Sequence, residues 1–77
     1  PETLVLILGA GFDTRAFRLP AGRWVEIDEA PVIARKQEQL PASEARNSLR
    51  RVAVDFASPS WMDEVRALAT DQRVVVV

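Results

Sequence analysis

Apolar and polar residues alternate in long blocks along this chain, and the blocks predict four strands with helices between them. Leu4 to Leu8 is an unbroken apolar run of five. That suits a central parallel strand covered on both faces, since a half-exposed strand would alternate. The run enters Gly9-Ala10-Gly11 and then Phe12-Asp13-Thr14-Arg15, a glycine turn opening a helix for which Asp13 is the N-cap candidate. Thr14 to Arg18 reads as a short helical segment ended by Leu19-Pro20 and the Ala21-Gly22 turn. Phe17 and Leu19 are expected to pack back on the sheet. Arg15 and Arg18 read as solvated or structural arginines, with an acid or the ligand turn as alternative neighbours.

Trp24-Val25-Glu26-Ile27-Asp28 forms the second predicted strand. Glu26 points away from its immediate neighbours and reads as structural, while Asp28 closes the strand. Asp28 or Glu29 caps the next helix, and Pro31 suits its first turn. This helix is expected to reach Leu40, with Val32, Ile33, Lys36 and Leu40 in one stripe, before Pro41-Ala42-Ser43 breaks it. Glu44 to Arg50 is polar, a loop or a helical turn. Arg51 to Phe56 is the third predicted strand. Ser60-Trp61-Met62-Asp63 resembles a capping box for a helix through Val65, Leu68 and Ala69, with Trp61 anchored on the sheet. Thr70-Asp71-Gln72 then turns the chain into a fourth strand, Val74 to Val77. The order β-α-β-α-β-α-β implies right-handed crossovers and an α/β fold with a doubly wound parallel sheet.

Composition narrows the chemistry mainly by exclusion. The 77 residues include no cysteine and no histidine, which removes disulfides, thiolate metal sites and the commonest acid/base group; no metal site is expected. Net charge is −1, so there is no general attraction to nucleic acid or to an anionic membrane. Arg46, Arg50 and Arg51 have no aromatic residues interleaved, which disfavours a nucleic-acid face. Without a signal peptide or a run of transmembrane length, the expectation is a cytoplasmic protein without membrane contact. The short chain reads as one piece of a larger domain, because buried apolar strands need neighbours to cover them.

Three predicted strands end in groups able to bind a ligand: Gly9 and Gly11, then Asp28, then Asp55 with Phe56. In a doubly wound sheet these ends lie along one rim, where small molecules bind. Glycine leaves no side chain between a ligand and the backbone. The turn alone is a weak signal, because a dinucleotide fingerprint needs a third glycine where this chain has Thr14, and a Gly-x-Gly can be a simple β-to-α turn. Asp28 follows Gly9 by 19 residues, close to the spacing at which an acid meets a ribose. Asp55 and Phe56 offer an acceptor and an apolar face to adenine. Each acid keeps an alternative reading as a helix cap or a solvated strand end. A carboxylate at position 13 opposes a pyrophosphate and favours a cation, so Asp13, Asp28 and Asp55 together suit S-adenosyl-L-methionine better than NAD or ATP.

The string Leu8-Gly9-Ala10-Gly11-Phe12-Asp13-Thr14-Arg15, followed by Phe17-Arg18-Leu19, resembles the "LGAGxDTR…RL" signature of leucine carboxyl methyltransferase-like proteins. These are class I S-adenosylmethionine-dependent methyltransferases with a Rossmann-like sheet, and they include bacterial polyketide O-methyltransferases. The likeness continues through Glu26-Ile27-Asp28, Val32-Ile33 with Lys36, Val54-Asp55-Phe56 and Trp61. It implies that Gly9, Ala10 and Gly11 lie against the methionine moiety, Asp28 on the ribose and Asp55-Phe56 at the adenine. Pro31 departs from the pattern, sitting one residue later than the family's proline. The family's N-terminal helices and its acidic "EG" segment have no counterpart in these residues, so the chain reads as residues 1–77 of the cofactor-binding half. The expected function is O-methylation of a small-molecule carboxylate or hydroxyl, with no catalytic residue assigned. A nicotinamide-dependent oxidoreductase and a non-catalytic α/β binding module are the alternatives.

Overall fold

The computed structural model describes residues 3–19, 22–69 and 73–77. Four strands, β1 (Leu4–Leu8), β2 (Arg23–Asp28), β3 (Ser48–Ala53) and β4 (Val74–Val76), form one sheet in the order β3-β2-β1-β4. All three pairings are parallel. The register sets Leu6 opposite both Val25 and Val76, and Glu26 opposite both Ile7 and Arg51. The connecting helices are α1 (Arg15–Arg18), α2 (Ala30–Gln39) and α3 (Trp61–Ala67). This is the α/β doubly wound parallel sheet that the block pattern implies.

Alternation along β1 and β2 divides the core between two faces. On one, Leu4, Leu6, Val25, Ile27 and Val54 are buried, and Trp61, Val65 and Leu68 of the α3 region pack on them. On the other, Ile7, Ala10, Ala16 and Trp24 are buried with Phe17 and Leu49 against them. Glu26 lies on this second face, because its neighbours Val25 and Ile27 belong to the first. Phe17 packs inward as expected, whereas Leu19 is 45% exposed and does not. In α2, Ile33, Lys36 and Leu40 turn inward, but Val32 stays outside the stripe. Asn47 ties the end of α1 down through its Nδ2, which donates to the carbonyls of Ala16 (2.6 Å) and Leu19 (2.8 Å).

One strand boundary and the mode of capping at two helices differ from the sequence pattern. The third strand covers 48–53, not 51–56, so Asp55 stands in a turn where its Oδ1 accepts the N–H of Ala57 at 2.9 Å. The apolar alternation at Val52, Val54 and Phe56 simply outlasts the ladder, while Arg50 and Arg51 lie within it. Ser60 is the N-cap of α3 but caps by its backbone carbonyl: its hydroxyl meets Ser58 Oγ at 3.0 Å, and the N–H of Asp63 goes to Ser60 O. Glu29 is the N-cap of α2, again without a side-chain cap, and Pro31 takes the N2 position. The turns expected at Pro20-Ala21 and Thr70-Asp71-Gln72 lie outside the described residues.

The face assignment has a direct test. Ile27 is fully buried and Met62 is 49% exposed. In the intact protein, Ile27→Ala is expected to lower the unfolding free energy by about 3 kcal/mol, and Met62→Ala by less than about 1 kcal/mol. Urea titration measures both; equal losses would contradict the packing described here.

Candidate functional site

The site lies where β1 and β2 end. Gly9 has φ +66° and Gly11 φ +28°, both in the left-handed region that glycine tolerates. The N–H of Gly9 donates to Ile27 O at 2.7 Å, which folds the turn over the end of β2. The N–H of Gly11 donates to Asp28 Oδ2 at 3.0 Å. The other Asp28 oxygen accepts the N–H of Glu29 at 2.8 Å, at the start of α2. One carboxylate therefore bridges the glycine turn and the next helix. Each of its oxygens holds one backbone N–H and keeps further acceptor capacity. A Cβ on Gly9 would meet nothing within 4 Å, and one on Gly11 only the Gly9 carbonyl at 4.0 Å. The glycines thus leave open space over the turn.

Asp28 and Asp55 come to the same end of the sheet, and the N–H of Val54 donates to Asp28 O at 3.0 Å. Their side chains line different depressions. Gly11, Phe12, Asp28, Val32, Arg35 and Lys36 border one of about 620 Å³. Glu29, Val54, Asp55, Ser58, Ser60 and Glu64 border another of about 590 Å³. Pro31 lines both. Phe12, at the tip of the turn, is 98% exposed. Phe56 is half-buried and meets Trp61 edge to face, with ring centroids 5.1 Å apart and planes at 82°. Ala10 is buried beneath the turn.

Asp13 is not the N-cap of α1 that the sequence suggests. Thr14 is the N-cap of α1, and that helix has only four residues. The Asp13 carboxylate instead accepts the backbone N–H of Arg15 at 2.8 Å and pairs with its guanidinium at 2.5 Å. The Arg15 hydrogen bond holds the Asp13 carboxyl below the usual carboxylate range, outweighing the opposing effect of burial. The same pair raises the Arg15 guanidinium. Asp13 is thus neutralised by its partner, and Asp28 is the carboxylate that borders the depression over the turn, beside Arg35 and Lys36, while Asp55 borders the other.

Pattern reading did not place Lys36 or Arg51 at this site. Both pair with Glu26, which is fully buried: Lys36 Nζ lies 2.8 Å from its Oε2 and Arg51 Nε 2.9 Å from its Oε1. Lys36 also donates to the backbone carbonyl of Asp13 at 2.6 Å. The available signal was a glutamate inside an apolar strand, which demands a cationic partner. Among the described residues no group of acids, His or Cys is arranged to hold a metal ion, and no helix is long and apolar enough to cross a membrane.

A parallel sheet ordered 3-2-1-4, with a glycine turn over an acid at the carboxyl ends, defines a Rossmann-like α/β unit. Residues 3–77 match the family described as leucine carboxyl methyltransferase, and the chain belongs to that family. It is 42% identical over 65 residues to a Parafrankia sp. (strain EAN1pec) protein named "Putative S-adenosyl-L-methionine-dependent methyltransferase"; the match covers 79% of this chain and 21% of that one. A Mycobacteroides abscessus protein carrying the same description is 40% identical over 70 residues, 87% of this chain and 23% of its own. The tetracenomycin polyketide synthesis O-methyltransferase TcmP of Streptomyces glaucescens is 29% identical over 68 residues, 84% of this chain and 24% of its own. The chain thus spans less than a quarter of the length of these relatives. No solved structure matches it.

The Asp13–Arg15 pair predicts a pH dependence. With its folded-state pKa depressed, Asp13 contributes stability above its unfolded value of 3.8 and loses it as pH falls through the lower folded value. Arg15 is 40% exposed, so solvent screens the pair. Asp13→Asn in the intact protein should therefore lower stability at neutral pH by only about 0.5–1 kcal/mol. Urea titrations in neutral and strongly acid buffer should show the difference from wild type closing in acid.

Proposed function

We propose that the chain is the donor-binding part of an S-adenosyl-L-methionine-dependent methyltransferase that methylates an oxygen of a small molecule, a carboxylate or a hydroxyl. The observation that carries this reading is the Asp28 carboxylate, held by the Gly11 N–H beside a glycine turn with open space above it. The residues fit the donor's chemistry. Asp28 keeps acceptor capacity for the two ribose hydroxyls, and Gly9, Ala10 and Gly11 offer bare backbone to the methionine moiety. Asp55 and Phe56 stand one strand further along for the adenine. Two carboxylates at the rim favour a donor that carries positive charge.

The bound donor supplies an electrophilic methyl group. The residues of this chain bind and orient it, and positioning with exclusion of water provides the acceleration expected of an in-line transfer. A carboxylate acceptor needs no general base, and none is assigned here. Oxygen as the accepting atom draws support from the S. glaucescens relative, an O-methyltransferase by name. Other parts of the protein are expected to select the acceptor.

Calorimetry on the intact protein tests this. S-adenosylhomocysteine is expected to bind and NADH is not, and Asp28→Asn should weaken binding about tenfold or more through lost charge-assisted hydrogen bonds. Binding of NADH alone would overturn the proposal, as would full affinity in the Asp28 variant.

A further inference from the structure

The Lys36 ammonium reaches the glycine turn from beneath, 23 residues further along the chain. Its Nζ lies 2.6 Å from the Asp13 carbonyl and 2.8 Å from Glu26 Oε2, and the side chain is 10% exposed. Both contacts are charge-assisted, with two of the three ammonium donors engaged. We propose that Lys36 is a positioning residue for the donor site: through the Asp13 carbonyl it holds the exit of the glycine turn where the Gly11 N–H meets Asp28. The inference rests on the donor site proposed above.

The anchor behind Lys36 is rigid. Glu26 is fully buried, and its Oε1 accepts Arg51 Nε at 2.9 Å. Arg51 is held in turn, with Nη1 2.5 Å from Gln37 Oε1 and its guanidinium carbon 5.6 Å from the Phe17 ring centroid. Lys36 therefore projects from α2 onto a buried carboxylate that is held on its other oxygen as well, which limits its rotamer freedom.

The turn, by contrast, has weak internal restraint. Two of its three residues are glycine, with the widest backbone freedom of any residue type. Asp13 is where the turn closes, since its N–H donates to Ala10 O at 2.6 Å and its carboxylate receives the Arg15 N–H. Both of those bonds are local. The bond from Lys36 is what joins this point to α2 and, through Glu26, to β2. Asp28 lies two residues beyond Glu26 on the same strand, so the tie and the Gly11–Asp28 contact share one rigid support.

Arg51 supplies the control. It belongs to the same buried cluster and pairs with the other Glu26 oxygen, but its contacts with Gln37 and Phe17 lie outside the glycine turn. Lys36→Met and Arg51→Met in the intact protein should both lower the melting temperature. Only Lys36→Met should weaken S-adenosylhomocysteine binding, by about tenfold, with Arg51→Met within about twofold of wild type. Hydrogen exchange in a peptide spanning Gly9 to Arg15 should quicken in the Lys36 variant alone. Lys36→Arg keeps a cation for Glu26 while displacing the donor from the Asp13 carbonyl, and should weaken binding with a smaller loss of melting temperature. Equal weakening in the two Met variants overturns the proposal, as does unchanged affinity in Lys36→Arg should Lys36→Met not fold. If the wild-type protein binds no adenosyl compound, the donor reading fails, and the exchange comparison still decides whether Lys36 holds the turn.

Discussion

A carboxylate with no solvent contact has to find its partners inside the fold, and Glu26 is that carboxylate here. Its charge faces the layer containing α1 and α2, so the elements covering that layer must bring cations to it. Lys36 arrives from α2 and Arg51 from the neighbouring strand β3, one on each oxygen. The cluster is not evidence of large net stability, because desolvating three charges offsets much of their attraction. Its consequence is geometric. Once Glu26 is buried, removing either cation leaves charge poorly matched in a dry setting, at a penalty of about 3–5 kcal/mol. Helix α2 is therefore held against β2 by a polar contact fixed in position, where its apolar residues alone, half-buried at best, would allow it to slide.

Much of this architecture is legible in the sequence because the strands are apolar and the turns contain glycine or proline. Leu4 to Leu8 could scarcely be anything but a covered strand, and the β-α alternation then dictates parallel pairing. The third strand was less legible for a specific reason. Ser48 to Arg50 look like the end of a polar loop, yet they belong to the ladder with Arg51, whose side chain is 4% exposed because Glu26 is opposite it. Period-2 patterning treats an arginine as outward-facing and misses one that pairs inward. The same limit hides Asn47, whose bonds to Ala16 and Leu19 span 31 and 28 residues.

At the candidate site, the sequence pattern does not show that one of its three acids carries its own cation. Asp13 reads as a third acid of the rim, and a carboxylate at a helix start is normally aimed at free N–H groups. Here α1 is a single turn, and Arg15 lies close enough for both its backbone N–H and its guanidinium to engage Asp13. A motif read one residue at a time counts such a pair as one negative and one positive group. In the folded chain they form a neutral clamp on the exit of the turn. The negative character of the rim then depends on Asp28 and Asp55.

Pro31 adjoins the hollows of both these acids. It occupies N2 of α2, a position where the missing N–H breaks no helical hydrogen bond. Its apolar ring borders both depressions, the one that Asp28 lines and the one that Asp55 lines. Adjacent parallel strands are about 4.8 Å apart, and two carboxylates at that spacing with nothing between them would repel strongly when desolvated by a ligand. Setting Asp55 back in its own turn, with Oδ1 on the Ala57 N–H, moves the second charge off the ladder and into a separate hollow. On the function proposed above, a donor with a polar sugar and a flat base would bring its hydroxyls to Asp28 and its base to Asp55.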